Sequence, residues 1–208
     1  MNFLSEYNKL HSPQHGFRSG HSCQTQLLET VHQWANTLDR RSSSHVLFLD
    51  FSKAFDSVPH RRLLLKLDCI GVRGNLLRWI QAFLVSRRQR VVVNGCSSNW
   101  APVSSGVPQA SILGPLLFLL YVNDIGVCLE SQTRLFADDC TIFRDVVGRE
   151  DCEALQSDLH HLYQWANKWQ LHLNLSKCKA LCISNKQIPP TYSMECHSSG
   201  LTHLRTLG

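Results

Sequence analysis

Three aspartates have the residue type and the setting for metal-assisted chemistry. Asp50 closes the apolar run Val46 to Phe51 (VLFLDF), where an unpaired carboxylate would be costly. Asp138 and Asp139 stand side by side between two more short apolar runs, Thr133 to Phe136 and Cys140 to Phe143. Adjacent carboxylates on a tight turn repel unless a proton or a cation compensates. Hard oxygen donors suit Mg²⁺, which keeps other positions for water and phosphate oxygens. Together the three acids predict a two-metal site that activates an attacking oxygen and stabilises a leaving one. That chemistry alone does not separate a polymerase from a nuclease. The histidines and cysteines predict no further metal site: Cys178 and Cys182 are four apart, His160 and His161 are adjacent, and Cys196 precedes His197, none of it zinc-ligand spacing.

The chain around these acids has 208 residues, with 21 Lys+Arg against 16 Asp+Glu and a formal charge of +5. That length is one domain or slightly more. A pI near 8.8 fits a nucleic-acid partner without demanding one. With 43% hydrophobic and 18% charged residues the composition excludes disorder. The longest apolar run, Ile112 to Val122, contains Gly114 and Pro115 and is too short to span a bilayer. The opening MNFLSEYNKL lacks the apolar core of a secretory signal. Nine cysteines without CxxC spacing predict reduced thiols in an intracellular protein, in nucleus or cytoplasm, and not a secreted one.

Hydrophobic periodicity supplies the elements that must hold the acids. Residues 11–21 read as a loop, after which Ser22 caps a helix with Leu27, Leu28, Val31, Trp34, Ala35 and Leu38 on one apolar face. Val46 to Phe51 reads as a strand buried on both faces. Pro59 starts a helix holding Leu63, Leu64, Leu65 and Leu67, which Gly71 ends. A second helix (Leu76, Leu77, Ile80, Phe83, Leu84) runs into the basic cluster Arg87, Arg88, Arg90. Val91 to Val93 followed by Asn94-Gly95 predicts a hairpin. Leu116 to Ile125 reads as a buried helix, and residues 152–169 as a long one with core-facing Trp165 and Trp169. Ala180 to Ile183 is a short strand. The tail, about residues 185–200, reads as loop, with one more strand near Leu204. Helices mixed with hairpins predict an α+β fold with a mixed or antiparallel sheet.

Five segments, in order, carry a family resemblance: HSPQHGFRSGHSCQTQL, VLFLDFSKAFDSVPH, SSGVPQASILGPLLFLLYVNDI, LFADDCTIF and LHLNLSKCKAL. Together they resemble the reverse-transcriptase domain of non-LTR (LINE-type) retrotransposons from about Ser12 to Gly208. The resemblance implies a polymerase palm-type antiparallel sheet packed on helices, with incomplete fingers and no full thumb. It implies partial fingers over 1–41, palm over 42–184, and a tail over 185–208 leading into a primer-grip hairpin at HLRTLG. Asp50, Asp138 and Asp139 would be catalytic metal ligands, joined by the Phe51 carbonyl, with Mg²⁺ as cofactor or Mn²⁺ in its place. Phe55 would be the steric gate that excludes a ribose 2′-hydroxyl, and Gln109 would lie against the incoming nucleotide. Lys177 would protonate departing pyrophosphate, a general-acid role.

Arg18 would contact the template backbone. Arg87, Arg88 and Arg90, with Arg61 and Arg62, would hold template and primer through phosphates. The implied reaction is RNA-directed DNA synthesis, with an RNA template, a DNA primer and deoxynucleoside triphosphates as partners and no membrane. Two departures set an alternative beside it. Ala110 stands where the family has glycine after the glutamine. The opening also has only Lys9 where relatives carry basic finger residues, as though a palm had been cut from a longer element. The alternative is a catalytically inactive retroelement remnant that at most binds nucleic acid or a partner protein. A two-metal phosphodiesterase is a third reading; it would need neither Phe55 nor Gln109.

Overall fold

Ser22 begins the first helix as the spacing predicts. In the computed structural model its hydroxyl accepts the Thr25 amide at 3.1 Å, and the Thr25 hydroxyl accepts the Ser22 amide at 2.9 Å. That reciprocal capping box satisfies donors that the first turn leaves open. The structure describes residues 10–184, 191–196 and 200–207. Lys9, His197 and most of the segment read as a loopy tail lie outside the described residues.

In chain order the elements begin with helix α1 (Cys23–Asp39), strand β1 (Ser43–Leu49) and helices α2 (Ala54–Ser57), α3 (His60–Cys69) and α4 (Gly74–Leu84). Four two-residue strands follow, β2 (Arg88–Gln89), β3 (Val92–Val93), β4 (Cys96–Ser97) and β5 (Ala101–Pro102), and then helix α5 (Leu113–Val122). Strands β6 (Gln132–Phe136) and β7 (Asp139–Val146), helix α6 (Arg149–Trp169) and strand β8 (Lys179–Ile183) come next. Strands β9 (Ser193–Cys196), β10 (Gly200–His203) and β11 (Arg205–Leu207) end the chain.

The chain divides into two compact units, residues 1–52 with 123–208, and residues 53–122. The first is built on a five-stranded sheet in the order β11-β8-β1-β7-β6. β1 is antiparallel to both β7 and β8, β6 is antiparallel to β7, and β11 lies parallel to β8. The central position of β1 explains its nearly continuous apolar run: Val46 and Leu47 are fully buried. Helix α6 buries Leu155, Leu159, Leu162 and Ala166. It is entered through Asp151, whose carboxylate accepts the Val147 and Gly148 amides at 3.0 and 3.2 Å. Those two bonds hold the Asp151 carboxyl below the usual carboxylate range.

The second unit is mainly helical. Lys66 is buried inside it; its Nζ donates to the Tyr121 carbonyl at 2.6 Å and sits 4.9 Å above the Tyr121 ring. Its hairpin turns at Asn94 and Gly95, with φ of 49° and 81°, the left-handed pair that a type I′ turn requires.

Four expectations need correction. The leucine face of α1 is not buried: Leu27, Leu28 and Val31 are 62%, 70% and 51% exposed. The helix is anchored instead by polar bonds, Arg134 to Glu29 and Gln33 at 2.8 and 3.0 Å, and Thr37 to Asp145 at 3.0 Å. The buried helix runs over 113–122, not 116–125, because Asn123 leaves it to accept the His11 amide at 2.8 Å. Trp165 and Trp169 are half-buried, and the Trp165 indole donates to Asp124 at 3.2 Å. The tail holds three short strands where one was expected, since β9 and β10 pair with each other and β11 joins the sheet edge.

Candidate active site

The register of the central strands gathers the three aspartates. β1 pairs with β7 through Leu49 and Cys140, so the next step of the same register sets Asp50 opposite Asp139. Phe136 pairs with Asp139, leaving Ala137 and Asp138 as a two-residue turn between β6 and β7. The backbone at Asp50 is fixed from the other side. Its carbonyl accepts the Asn174 amide at 2.8 Å, the Ser52 amide donates to the His172 carbonyl at 2.7 Å, and Phe51 bridges Leu173. The segment then turns so that Lys177 Nζ comes within 3.5 Å of the Asp50 carboxylate.

Ala137 has a φ of 56°, in the region where a Cβ is strained by roughly 1 kcal/mol or more. The strain persists because the turn is clamped. Residues 13–16 run along β6: the His15 amide donates to the Leu135 carbonyl at 2.8 Å and the Leu135 amide to the Pro13 carbonyl at 3.0 Å. From that ridge the buried Gln14 side chain accepts the Ala137 amide at 3.1 Å and the Gly16 amide at 2.8 Å. Its own amide donates to the Ala137 carbonyl at 3.4 Å. Gln14 is the positioning residue that sequence reasoning missed. A polar side chain in an aperiodic loop carries no pattern, whereas the charge of Arg18, four residues on, marks it out.

The electrostatics of the cluster are those of carboxylate repulsion that Lys177 relieves in part. Although Asp139 reaches solvent, its carboxyl is pushed up, first by desolvation, then by Asp138 and Asp50, with Lys177 opposing. Oxygen-only donors under mutual repulsion fit a hard divalent cation. They do not close around one, since no three His, Cys, Asp or Glu side chains among the described residues are gathered tightly enough to hold a metal. An open cleft of about 820 Å³ leads to the cluster, lined by Trp34 of α1, by Phe48, Arg134 and Phe143 of the sheet, and by Lys177. The raised Asp139 pKa fixes a sign. A folded-state pKa above the unfolded value means that the folded chain binds more protons between the two values, so stability falls as pH rises through that window. In chelator, Asp139→Asn is therefore expected to raise the melting temperature at pH 7 and to change it little below pH 4. A melting scan of both chains checks this, and a larger gain in acid than at neutrality would refute it.

The other predicted residues lie in the second unit or in the loop before α1. Phe55 stacks on Phe118 with centroids 4.2 Å apart. Gln109 is exposed, and its amide donates to Asp56 at 2.8 Å within a shallow concavity of about 440 Å³. Arg18 donates from Nη1 to the carbonyls of His11, Ser12 and Gln14 at 3.0 to 3.3 Å, so it braces its own loop. Arg87 does the same at the carbonyls of Leu84 and Gly106, at 2.9 and 2.7 Å, and desolvation lowers its pKa. Arg88 and Arg90 are exposed on the hairpin. Ala110 has a φ of 57°, the backbone conformation that favours glycine. Ala110→Gly is expected to stabilise the chain by about 1 kcal/mol, read as a denaturation midpoint shifted upward. An unchanged or lowered midpoint would show that the loop does not hold this conformation in solution.

A five-stranded sheet backed by helices, with acids at the end of its central strands, is a polymerase palm. The fold matches an apo telomerase of Candida tropicalis truncated of its C-terminal domain, at a TM-score of 0.65 and 10% identity over 97% of this chain and 43% of that one. A Candida albicans telomerase in complex with a fragment of telomeric RNA matches at 0.64 and 11% identity, over 99% of this chain and 38% of that one. Residues 1–203 match the reverse transcriptase (RNA-dependent DNA polymerase) family, and the chain belongs to that family.

Its relatives are polymerases of non-LTR retrotransposons. The probable RNA-directed DNA polymerase from transposon X-element of Drosophila melanogaster is 32% identical over 88% of this chain. The RNA-directed DNA polymerase from mobile element jockey of Drosophila funebris is 30% identical over 83%. The chain spans about a fifth of each, 21% and 20%. No helix among the described residues is long and apolar enough to cross a membrane.

Proposed function

We propose that this chain carries out RNA-directed DNA synthesis, joining a primer 3′-hydroxyl to the α-phosphate of a deoxynucleoside triphosphate on an RNA template. The observation that carries the reading is the convergence of Asp50, Asp138 and Asp139 at one end of the central strands, Asp50 and the Asp138-Asp139 turn each on its own braced backbone. Asp50, Asp138 and Asp139, with the Phe51 carbonyl, would hold Mg²⁺, or Mn²⁺ in its place, which supplies charge neutralisation and an activated attacking oxygen when bound.

The chain's own residues supply the rest. Gln14 holds the strained turn, so that Asp138 and Asp139 keep their aim without reorganising. Lys177, an ammonium 3.5 Å from Asp50, is a proton source for a departing oxygen and a counter-charge to the carboxylates. Stacking on Phe118 holds the Phe55 ring in one orientation, as a steric gate requires, and Gln109 is oriented for a nucleotide by Asp56. Arg88 and Arg90 take phosphates, whereas Arg18 and Arg87 act by holding loops. Residues 1–41 would serve as fingers, 42–184 as palm and 185–208 as the approach to the primer grip.

A second reading, a chain that binds nucleic acid without catalysis, draws on the strained Ala110 and on carboxylates that, among the described residues, do not close tightly enough to hold a metal. Primer extension on a primed RNA template with Mg²⁺ and deoxynucleotides separates the two. The proposed function requires extension that disappears in Asp138→Ala/Asp139→Ala. A folded chain that binds the template without extending the primer would leave the second reading.

A further inference from the structure

We propose that Trp100, with Arg88 and Arg90 beside it, forms a stacking platform for a base of single-stranded nucleic acid whose neighbouring phosphates the two arginines hold. The inference rests on the phosphate reading of Arg88 and Arg90 and adds a site that the reaction chemistry does not use.

The hairpin register builds the platform. Arg88 pairs with Pro102 and Gln89 with Ala101, so the same register sets Arg90 opposite Trp100. Residues two apart share a face of a strand, which puts Arg88, Arg90 and Trp100 on one side. Nearer the tip the pairing is Val92 with Ser97 and Val93 with Cys96, a register displaced by one residue. The extra residue falls on the returning strand, between Ser97 and Ala101. A bulge of this kind bends and twists the strand that bears it and re-aims a side chain. The guanidinium carbons of Arg90 and Arg88 lie 4.8 and 5.9 Å from the Trp100 ring centre, within cation–π range.

Exposure and charge point to the class of ligand. Every residue from Arg88 to Pro102 is exposed, and the Trp100 ring is half in solvent. No Asp or Glu occurs between Asp68 and Asp124. Residues 53–122 carry nine Lys+Arg against two Asp, a net +7, so the remaining residues of the +5 chain sum to −2. The chain's positive charge is thus concentrated in the unit that bears the hairpin. An indole beside two arginines, neither in an ion pair among the described residues, offers a π-face and two cations, which is what a base and its flanking phosphates require. Tryptophan and arginine also anchor protein interfaces. Here every charged residue between Asp68 and Asp124 is an arginine, which favours a polyanion.

The test is the affinity of the full chain for short fluorescent oligouridine, oligothymidine, a duplex, and an abasic strand of equal length and charge, measured across a salt series. Trp100→Ala is expected to weaken binding of the base-bearing single strands by about 10-fold and to leave the abasic strand and the salt slope unchanged. Trp100→Phe is expected to keep most of the affinity. The double variant Arg88→Gln/Arg90→Gln is expected to reduce the single-strand salt slope by about 1.4. Uridine and thymidine strands responding alike, or one alone, both support the platform and tell which sugar it takes.

Trp100→Ala without effect, beside an arginine variant that loses binding, would overturn the platform and leave the phosphate contacts standing. Loss in neither variant would overturn both. Unchanged strand binding with self-association abolished by Trp100→Ala would assign the surface to a protein contact and overturn the proposal.

Discussion

Exchanging Asp138 and Asp139 for alanine is expected to lower primer extension by about a thousand-fold or more, while the chain stays folded. The rate follows from charge. Two carboxylates that neutralise developing charge through a bound cation are worth several kcal/mol, and about 1.4 kcal/mol is a factor of ten. The stability follows from the same carboxylates. Desolvation and the neighbouring charges of Asp138 and Asp50 already raise the Asp139 pKa, so removing them relieves the folded chain. Activity and thermal stability should therefore move in opposite directions, the mark of residues kept for chemistry at the expense of the fold. Extension rates and melting curves of the same preparations check both halves. A double variant that melts lower and retains activity would contradict the assignment.

Gly16→Ala is the second change expected to act strongly. It should do so without touching an ionisable group. A Cβ at Gly16 would stand inside contact distance of the Ala137 amide nitrogen and 3.1 Å from both the Ala137 Cα and the Gln14 amide oxygen. The obstacle is backbone, and Gln14 already ties that backbone down. Accommodation requires the Ala137-Asp138 turn to move away from the ridge formed by residues 13–16. Overpacking of this kind costs about 2 kcal/mol. The greater consequence is misplacement of Asp138 and Asp139, and an error near 1 Å in a catalytic group costs roughly a hundred-fold in rate. The expected result is a modest fall in melting temperature beside a large loss of extension. Loss of stability with full activity would show that the turn keeps its aim without the ridge.

The contrast between Asp138 and Gln14 shows what the sequence displays and what it conceals. Asp50, Asp138 and Asp139 could be found because apolar strands frame them, and strands announce themselves by composition and period. The α1 cap could be found because Ser22 and Thr25 act within one turn. Gln14 could not, since its partner lies 123 residues away and its own segment has no period. The exposed leucines of α1 show a related gap: periodicity reveals that a face exists, while Arg134, Glu29, Gln33 and Thr37 decide which face meets the sheet. Arginine identity misled in the same way. Nothing in the residue type distinguishes an Arg18 that binds backbone carbonyls from an Arg90 left in solvent, because a guanidinium serves both. The edge strand β11 escaped detail for another reason, being a parallel partner recruited from beyond a separate hairpin.

The sheet order β11-β8-β1-β7-β6 has a kinetic consequence. β1 meets β7 across about a hundred residues and β8 across somewhat more, and residues 53–122 are threaded between β1 and β6 in the chain. Closing loops of that length is entropically uphill before any pairing energy is returned, and such topologies assemble slowly. Helices α3 and α4 take their partners from within residues 53–122, so they can form while the acidic hairpin is still unsynthesised. The ridge at residues 13–16, made first, must wait for Leu135 before it has a partner. The Ala137-Asp138 turn thus matures only once β7 has been synthesised, and until then a nascent chain carries Asp50 on an apolar strand without its β7 partner. Chaperone dependence of soluble yield should track the exposure time of that strand more closely than the thermodynamic stability of the finished fold.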